Sequence, residues 1–488
     1  MATADAARPA TRPAGSIRDH IVVFPFMAKG HTLPLLHLAS ALAGRAGLRV
    51  TVLTTPGNLA FARRRVPAHV ALVALPFPSH PDLPPGAEST DALPSHALFP
   101  AFLRATALLR DPFAAYLASL PSPPLAVVSD FFLGFTQRVA TDAGVLRLTF
   151  HGMSAFSLAL CFSLATNPPP PPPPGSAAAF RVPGFPETVT ITVDEVPHAV
   201  AQAADVDDPV TRFLLDEVRD WDYRSWGVLV NSFDALDGDY AGLLESFYLP
   251  GARAWLVGPL FLAAGESQEQ DDEDPEGCLP WLDERASRSV VYVSFGTQVH
   301  VSAAQLDELA HGLVDSGHAF LWAVRCSDER WSPPVDVGPE GKIVRGWVPQ
   351  RRVLAHTAVG GFVSHCGWNS VLESLAAGRP MLAWPVMAEQ AANAKHVADV
   401  LRAGVRVGVK AGGANAGPEV VVDRVRVAGK VREVMDGGEA GRRMRDRAEH
   451  VAEAARAAVG EGGTSRVALR RMVDELRRSY DDDGEAKV

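Results

Sequence analysis

Gly361-Phe362-Val363-Ser364-His365-Cys366-Gly367-Trp368-Asn369-Ser370-Val371-Leu372-Glu373-Ser374-Leu375-Ala376-Ala377-Gly378 is the stretch on which the reading of the chain turns. Residues 361–364 form a short apolar run of the buried-strand type. Residues 371–377 have helical spacing, stopped by Gly378 with Pro380 beyond. A strand, a turn holding Gly, Asn and Ser, and a helix in that order make a ready anion site. Free backbone N–H groups and the positive helix end point at the ligand, and His365, Asn369 and Ser370 add side-chain donors.

The same pattern repeats outward. The run 290–295 reads as a strand, and its turn Ser294-Phe295-Gly296-Thr297 offers donors at the same sheet edge. Ser302 and Gln305 form a capping-box pattern opening a helix to about Ser316. Strands are expected at 320–324, 380–383 and 405–409, helix through most of 424–480, and a frayed end at 481–488. The first half opens likewise: strand 21–26, a helix from about Leu33 with Thr32 as cap and Pro34 in its first turn, then strand 49–54. Further strands are expected at 125–129, 146–150 and 227–231. Strands alternating with helices imply parallel sheets covered on both faces. Residues 168–174 are an unbroken proline run, expected as an extended surface loop. The polar, acidic stretch within 263–280 reads as a linker. The expected organisation is a tail (1–18), a first Rossmann-like domain (19–258), a linker (259–280), a second Rossmann-like domain (281–460) and a terminal helix with tail (461–488). The ligand belongs in the cleft between the carboxyl ends of both sheets.

Composition narrows the function classes. The 488 residues carry 46 Lys and Arg against 56 Asp and Glu, a net charge of −10. That balance disfavours a nucleic-acid partner, whose phosphates call for a basic face. Cys161, Cys278, Cys326 and Cys366 are far apart and form no CxxC pair, which argues against a zinc site or disulfide scaffold and fits a reducing compartment. The longest apolar stretch, 153–166, falls short of the ~20 residues that span a bilayer. A secretory signal is disfavoured by Pro25 within the run 21–28. The protein is expected to be cytoplasmic and monomeric.

The segment from Trp347 to Gln390 is 44 residues long and holds Trp347-Val348-Pro349-Gln350, His365 to Ser370, Glu373, Pro385 and Glu389-Gln390. It resembles the signature box of plant family 1 glycosyltransferases, which use UDP-sugars as donors. The resemblance extends to Gly30-His31, Ser129-Asp130-Phe131, Asn231-Ser232-Phe233, Trp255 to Pro259 and Val291 to Thr297. It implies a GT-B fold, two Rossmann-like domains facing each other across a cleft. The family pattern would place Trp347 on the uracil, with the Val348 main chain and Gln350 completing the nucleoside contacts, and Glu373 on the ribose. His365, Asn369, Ser370 and Thr297 would hold the diphosphate, and Trp368, Glu389 and Gln390 the sugar. Trp368 and Gln390 usually accompany UDP-glucose; Glu389 departs from the commoner Asp. By themselves Trp347 and Trp368 read equally as core aromatics, Ser370 and Glu373 as a capping pair, and Cys366 as a small buried thiol. Asp237-Gly238-Asp239 has the form of a metal-binding motif but falls in an acidic stretch expected at the surface; the resemblance calls for no metal or cofactor, the UDP-sugar being a co-substrate.

Deprotonation of a hydroxyl acceptor needs a base. His31, after the first strand, is implied for that task, with Asp130 orienting it. Spacing alone cannot bring them together, since they stand 99 residues apart. Direct displacement at C1 of UDP-glucose would give a β-glucoside of a small lipophilic acceptor. Phe131, Phe132, Phe150 and Phe156 are candidate walls for a phenolic such as a flavonoid, although a terpenoid or hormone fits the same description. His151 either tunes acceptor binding or is structural. Competing readings have less support: the first turn is not G-x-G-x-x-G, no G-x-S-x-G is present, and His31 with Asp130 argues against a silent binding protein.

Overall fold

A computed structural model describes residues 19–44, 47–168, 179–203, 205–264, 273–296, 299, 301–324, 331–408 and 421–480. The strands are β1 (His20–Phe24), β2 (Arg49–Thr54), β3 (Ala71–Ala74), β4 (Ala126–Asp130), β5 (Leu146–Phe150), a short antiparallel ribbon of β6 (Phe180–Arg181) and β7 (Thr190–Ile191), β8 (Gly227–Val230) and β9 (Arg253–Leu256). The second half adds β10 (Val290–Ser294), β11 (Ala319–Ala323), β12 (Gly341–Val344), β13 (Val359–Ser364), β14 (Met381–Ala383) and β15 (Gly404–Arg406). All pairs in the two large sheets are parallel. Their orders are β3-β2-β1-β4-β5-β8-β9 and β12-β11-β10-β13-β14-β15. Each order reverses once, between β1 and β4 and between β10 and β13. At such a point the following loops diverge to opposite faces and open a crevice at the carboxyl edge.

Burial on both faces explains the continuous apolar runs of the central strands. Val23 and Val128 look into one core and Val22 and Val127 into another; Tyr292 and Phe362 are separated from Val293 and Val363 in the same way. The short edge strands β3 and β12 escape a reading based on apolar runs because their residues are mostly half-exposed or exposed.

The first helix begins at Lys29, not Leu33, and runs to Ala43. Its cap position is Ala28, and Thr32 instead donates its hydroxyl to the Phe26 carbonyl at 2.8 Å. Pro34 therefore lies inside the helix, where it costs about 3 kcal/mol relative to Ala. Ser302 does cap Ala303–Ser316, but Gln305 turns away and pairs with the backbone of Val422 at both its oxygen and its nitrogen. Asp237 is buried rather than on the surface: its carboxylate accepts from the N–H groups of Ala155 and Phe156 at the start of the helix Ala155–Thr166. Both flanks of the acidic stretch are packed, Leu260 into the first core and Cys278 with Leu282 into the second. Residues 265–272, most of the proline run (169–174), the tail 1–18 and the end 481–488 lie outside the described residues.

After the second sheet the chain returns. The helix Thr464–Arg478 buries Leu469, Met472, Val473 and Leu476 against the first sheet's core. Tyr480 donates its hydroxyl to the Leu125 carbonyl (2.7 Å) and accepts from the Leu146 N–H (3.0 Å). Ser465, on this return, donates to the Gly258 carbonyl on the outgoing segment after β9 at 2.6 Å. The terminal helix thus belongs with the first sheet. Tyr480→Phe should cost about 1–3 kcal/mol, because a strand-end N–H and a carbonyl lose their shared partner; urea denaturation of both proteins measures this.

Candidate active site

His31 follows β1 and Asp130 ends β4, so the two flank the reversal point of the first sheet. The neighbouring register, Phe24 opposite Ser129, brings the loop after β1 beside the last residue of β4. His31 Nδ1 lies 2.7 Å from Asp130 Oδ2. The other carboxylate oxygen accepts from the Phe132 N–H at 3.1 Å, which fixes the carboxylate plane. Asp130 is fully buried, while the His31 side chain remains 26% exposed. Nδ1 donates to the carboxylate, so the neutral tautomer carries its free lone pair on Nε2. Burial pulls the His31 pKa down, but the charge and hydrogen bond of Asp130, helped by Glu389, outweigh it and hold the pKa above the ordinary histidine value.

Across the cleft stands the reversal point of the second sheet, with Ser294–Gly296 after β10 and His365 after β13. The helix Trp368–Ala376 starts there behind Gly367. The intervening space, about 370 Å³, is lined by His31, Trp347, Val348, Gln350, His365, Trp368, Asn369, Ser370, Glu373, Glu389 and Gln390. The structure therefore brings the base and donor-site candidates named from the sequence to one cleft, except Asp130, which backs His31, and Thr297, which lies outside the described residues.

Several open alternatives are settled by contacts. Trp347 is 37% exposed and is not a core aromatic. Trp368 is buried, and its indole N–H is taken by the Asn231 carbonyl at 2.8 Å, so its ring nitrogen is not offered to a ligand. Ser370 is inside the helix rather than its cap. Glu373 Oε2 accepts from Gln350 Nε2 at 2.7 Å, so the pair does not form a capping box. Gln350 also reaches Ser370 Oγ (3.1 Å) and accepts from the Tyr292 hydroxyl (3.2 Å). The Gln390 carbonyl oxygen accepts from Val386 and Met387 N–H, which leaves its NH₂ as a donor. Burial pushes the Cys366 thiol up to about 12, which rules it out as a nucleophile at neutral pH.

His365 is half-buried, and its buried Nδ1 atom finds no hydrogen-bond partner among the described residues. Burial lowers its pKa to about 4, against a smaller opposing effect of the Ser294 backbone. That leaves it neutral at pH 7, a polar group rather than a fixed charge. Among the described residues, no group of three or more His, Cys, Asp and Glu side chains is placed to hold a metal ion, and no helix is long and apolar enough to cross a membrane.

Comparison with known proteins decides the family. The model described as "UDP-glucoronosyl and UDP-glucosyl transferase" matches residues 263–420, and "Glycosyltransferase, N-terminal domain" matches 19–166. UDP-glycosyltransferase 73B4 of Arabidopsis thaliana is 37% identical over 94% of this chain and 98% of its own. This chain belongs to the UDP-glycosyltransferase family. Anthocyanin 3'-O-beta-glucosyltransferase of Gentiana triflora is 36% identical over 94% and 98% of the two chains. The crystal structure of Glycyrrhiza uralensis UGT73P12, complexed with glycyrrhetinic acid 3-O-monoglucuronide, superposes with a TM-score of 0.84 at 31% identity, over 94% and 96%. The two facing parallel α/β domains make the fold of this glycosyltransferase GT-B.

Some of this glycosyltransferase's cleft was not evident beforehand. Tyr292 and His37 line it. His37 is held near pKa 3 by burial first, then by Arg351 and Arg65. Tyr292 occupies a strand position that reads as core, and nothing in the spacing of His37 marks it. Phe131 and Phe132 flank His31 with ring centroids at 6.2 and 5.6 Å, whereas Phe150 and Phe156 are fully buried in cores and wall no cleft. His151 belongs to a buried network: it lies 2.8 Å from Asp222, which also accepts from Arg147 and Thr149, and it stacks on Phe131 at 4.5 Å. It is a structural residue that backs one aromatic wall. If Asp130 raises the His31 pKa, Asp130→Asn removes the charge that favours imidazolium and lowers it. An NMR titration of the His31 ring should show the midpoint falling, with the neutral base persisting to lower pH; an unmoved midpoint would contradict the assignment.

Proposed function

We propose that this enzyme transfers glucose from UDP-glucose to a hydroxyl, or a carboxyl, of a small lipophilic phenolic such as a flavonoid, with inversion at C1. The observation that carries this reading is the 2.7 Å contact between His31 and Asp130, placed across the cleft from the donor turn after β13. The acceptor O–H gives its proton to His31 Nε2 as its oxygen bonds to C1. The bond from C1 to the diphosphate oxygen breaks, and UDP leaves with the electron pair. Attack from the face opposite UDP turns an α-linked donor into a β-glucoside. Asp130 stabilises the imidazolium as it forms, and the proton then passes to solvent.

In this reading the exposed Trp347 face stacks on uracil beside the Val348 main chain, Gln350 braces Glu373, and Glu373 takes the ribose hydroxyls. Neutral donors receive the diphosphate: the N–H groups opening the helix Trp368–Ala376, together with His365, Asn369, Ser370 and Thr297. The Gln390 NH₂ and the Glu389 carboxylate face the sugar, and Trp368 shapes the site through its buried ring. No metal is needed, one chain supplies both halves of the cleft, and the protein acts as a cytoplasmic monomer. The acceptor lies against Phe131 and Phe132, and the name of the gentian relative supports a phenolic. Glu389 in place of Asp motivates a parallel test of UDP-galactose and UDP-xylose.

The decisive measurement is UDP release with phenolic acceptors. His31→Ala should lower kcat by about 10²–10⁴-fold while UDP still binds by calorimetry; full turnover in that variant would defeat the assignment. EDTA should leave the wild-type rate unchanged. Because the unprotonated form of His31 is the base, kcat/KM should fall as pH drops through its raised pKa. In Asp130→Asn that acid limb should move to lower pH, at a reduced maximum rate.

A further inference from the structure

Pro34 stands inside the helix that carries His31. In an unbroken helix the N–H of residue 34 would bond to the carbonyl of residue 30. Proline has no N–H, so the Gly30 carbonyl is released. That carbonyl accepts a 2.8 Å hydrogen bond from Asn369 Nδ2 on the second domain. A carbonyl can only accept, so the amide must present its NH₂ here. Asn369 is the second residue of the helix that opens the donor turn.

The Gly30 carbonyl and the His31 N–H belong to one peptide unit. Its N–H end bonds to the Ala28 carbonyl at 2.9 Å, within the first domain, and its carbonyl end is held by the second. The His31 ring is held separately by Asp130.

We propose that Pro34 and Asn369 form a positioning pair for the base. Pro34 frees a carbonyl, and Asn369 uses it to set the backbone of His31 against the donor turn across the cleft. Neither residue exchanges the proton; the pair fixes the distance over which the base and the sugar meet. Small misplacements of a base lower the rate of the chemical step more than ground-state binding. The inference rests on His31 being the base, and that reading stands or falls on transfer by the wild type and its loss in His31→Ala, whatever happens at position 34.

The test is a cycle of Pro34→Ala, Asn369→Ala and the double variant, assayed with UDP-glucose and a phenolic acceptor. Pro34→Ala supplies an N–H that competes for the Gly30 carbonyl, and Ala favours helix, so melting temperature should hold or rise. Its kcat should fall about tenfold, the scale of one lost hydrogen bond, with KM for UDP-glucose within about twofold. The acid limb of the pH profile should not move, since the His31–Asp130 bond is intact. In the Asn369→Ala background the same change should cost nothing further. An unchanged kcat in Pro34→Ala, or an equal loss in both backgrounds, overturns the proposal. Should Pro34→Ala fail to fold, Asn369→Asp is read in its place, since its carboxylate keeps the size but cannot donate; an undiminished kcat there overturns the proposal too.

Discussion

Parallel pairing sends all the carboxyl ends of a sheet to one edge, and helices cover both faces, so polar chemistry has one place to gather. The strand order of each sheet here reverses once, and a crevice opens where it does. His31 and Asp130 occupy the crevice of the first sheet, and Gly296 and His365 that of the second. The rest of the molecule serves to set those two crevices mouth to mouth. Trp368 on Asn231, Asn369 on Gly30 and Ser157 on Asn393 are cross-domain hydrogen bonds of 2.8 Å or less. His396 stacks between Phe156 of one domain and Trp368 of the other.

This arrangement explains how a chain of net charge −10 can face an anion. The groups at the turn after β13 are dipoles, while Lys29, Arg351 and Arg352 line the same cleft. His365 is kept neutral by burial, and the helix start offers N–H groups. The His31 pKa, by contrast, is raised by the carboxylate of Asp130 behind it. Opposite shifts in two half-buried imidazoles follow from one difference: Asp130 stands beside one of them, and no carboxylate contributes to the shift of the other.

Most of the parallel core was legible because continuous apolar runs mark strands covered on both faces, and the donor turn was legible because strand, Gly-rich turn and helix sit within 18 residues. What stayed hidden depended on partners distant in sequence. Asp237 looked like a surface acid until the start of the helix Ala155–Thr166 was seen to need a cap. Gln305 matched a capping box, but Val422 offers its backbone two bonds where the box offers one. Trp368 was legible as a residue of the cleft, but not that its N–H is spent on Asn231. Pro34 looked like a helix-start residue because local rules cannot show that the helix begins a turn earlier, at Lys29.

The bond from Ser465 to the Gly258 carbonyl has a mechanical meaning. The backbone passes from the first body to the second and comes back, and this bond ties the outgoing and returning segments at one point. The second sheet is in effect an insertion within the first body, whose outer ends are linked by the Asp19–Arg477 ion pair at 2.8 Å. Two crossings of chain laced together join the bodies more like a strap than a swivel: a twist of one body against the other has to deform both crossings.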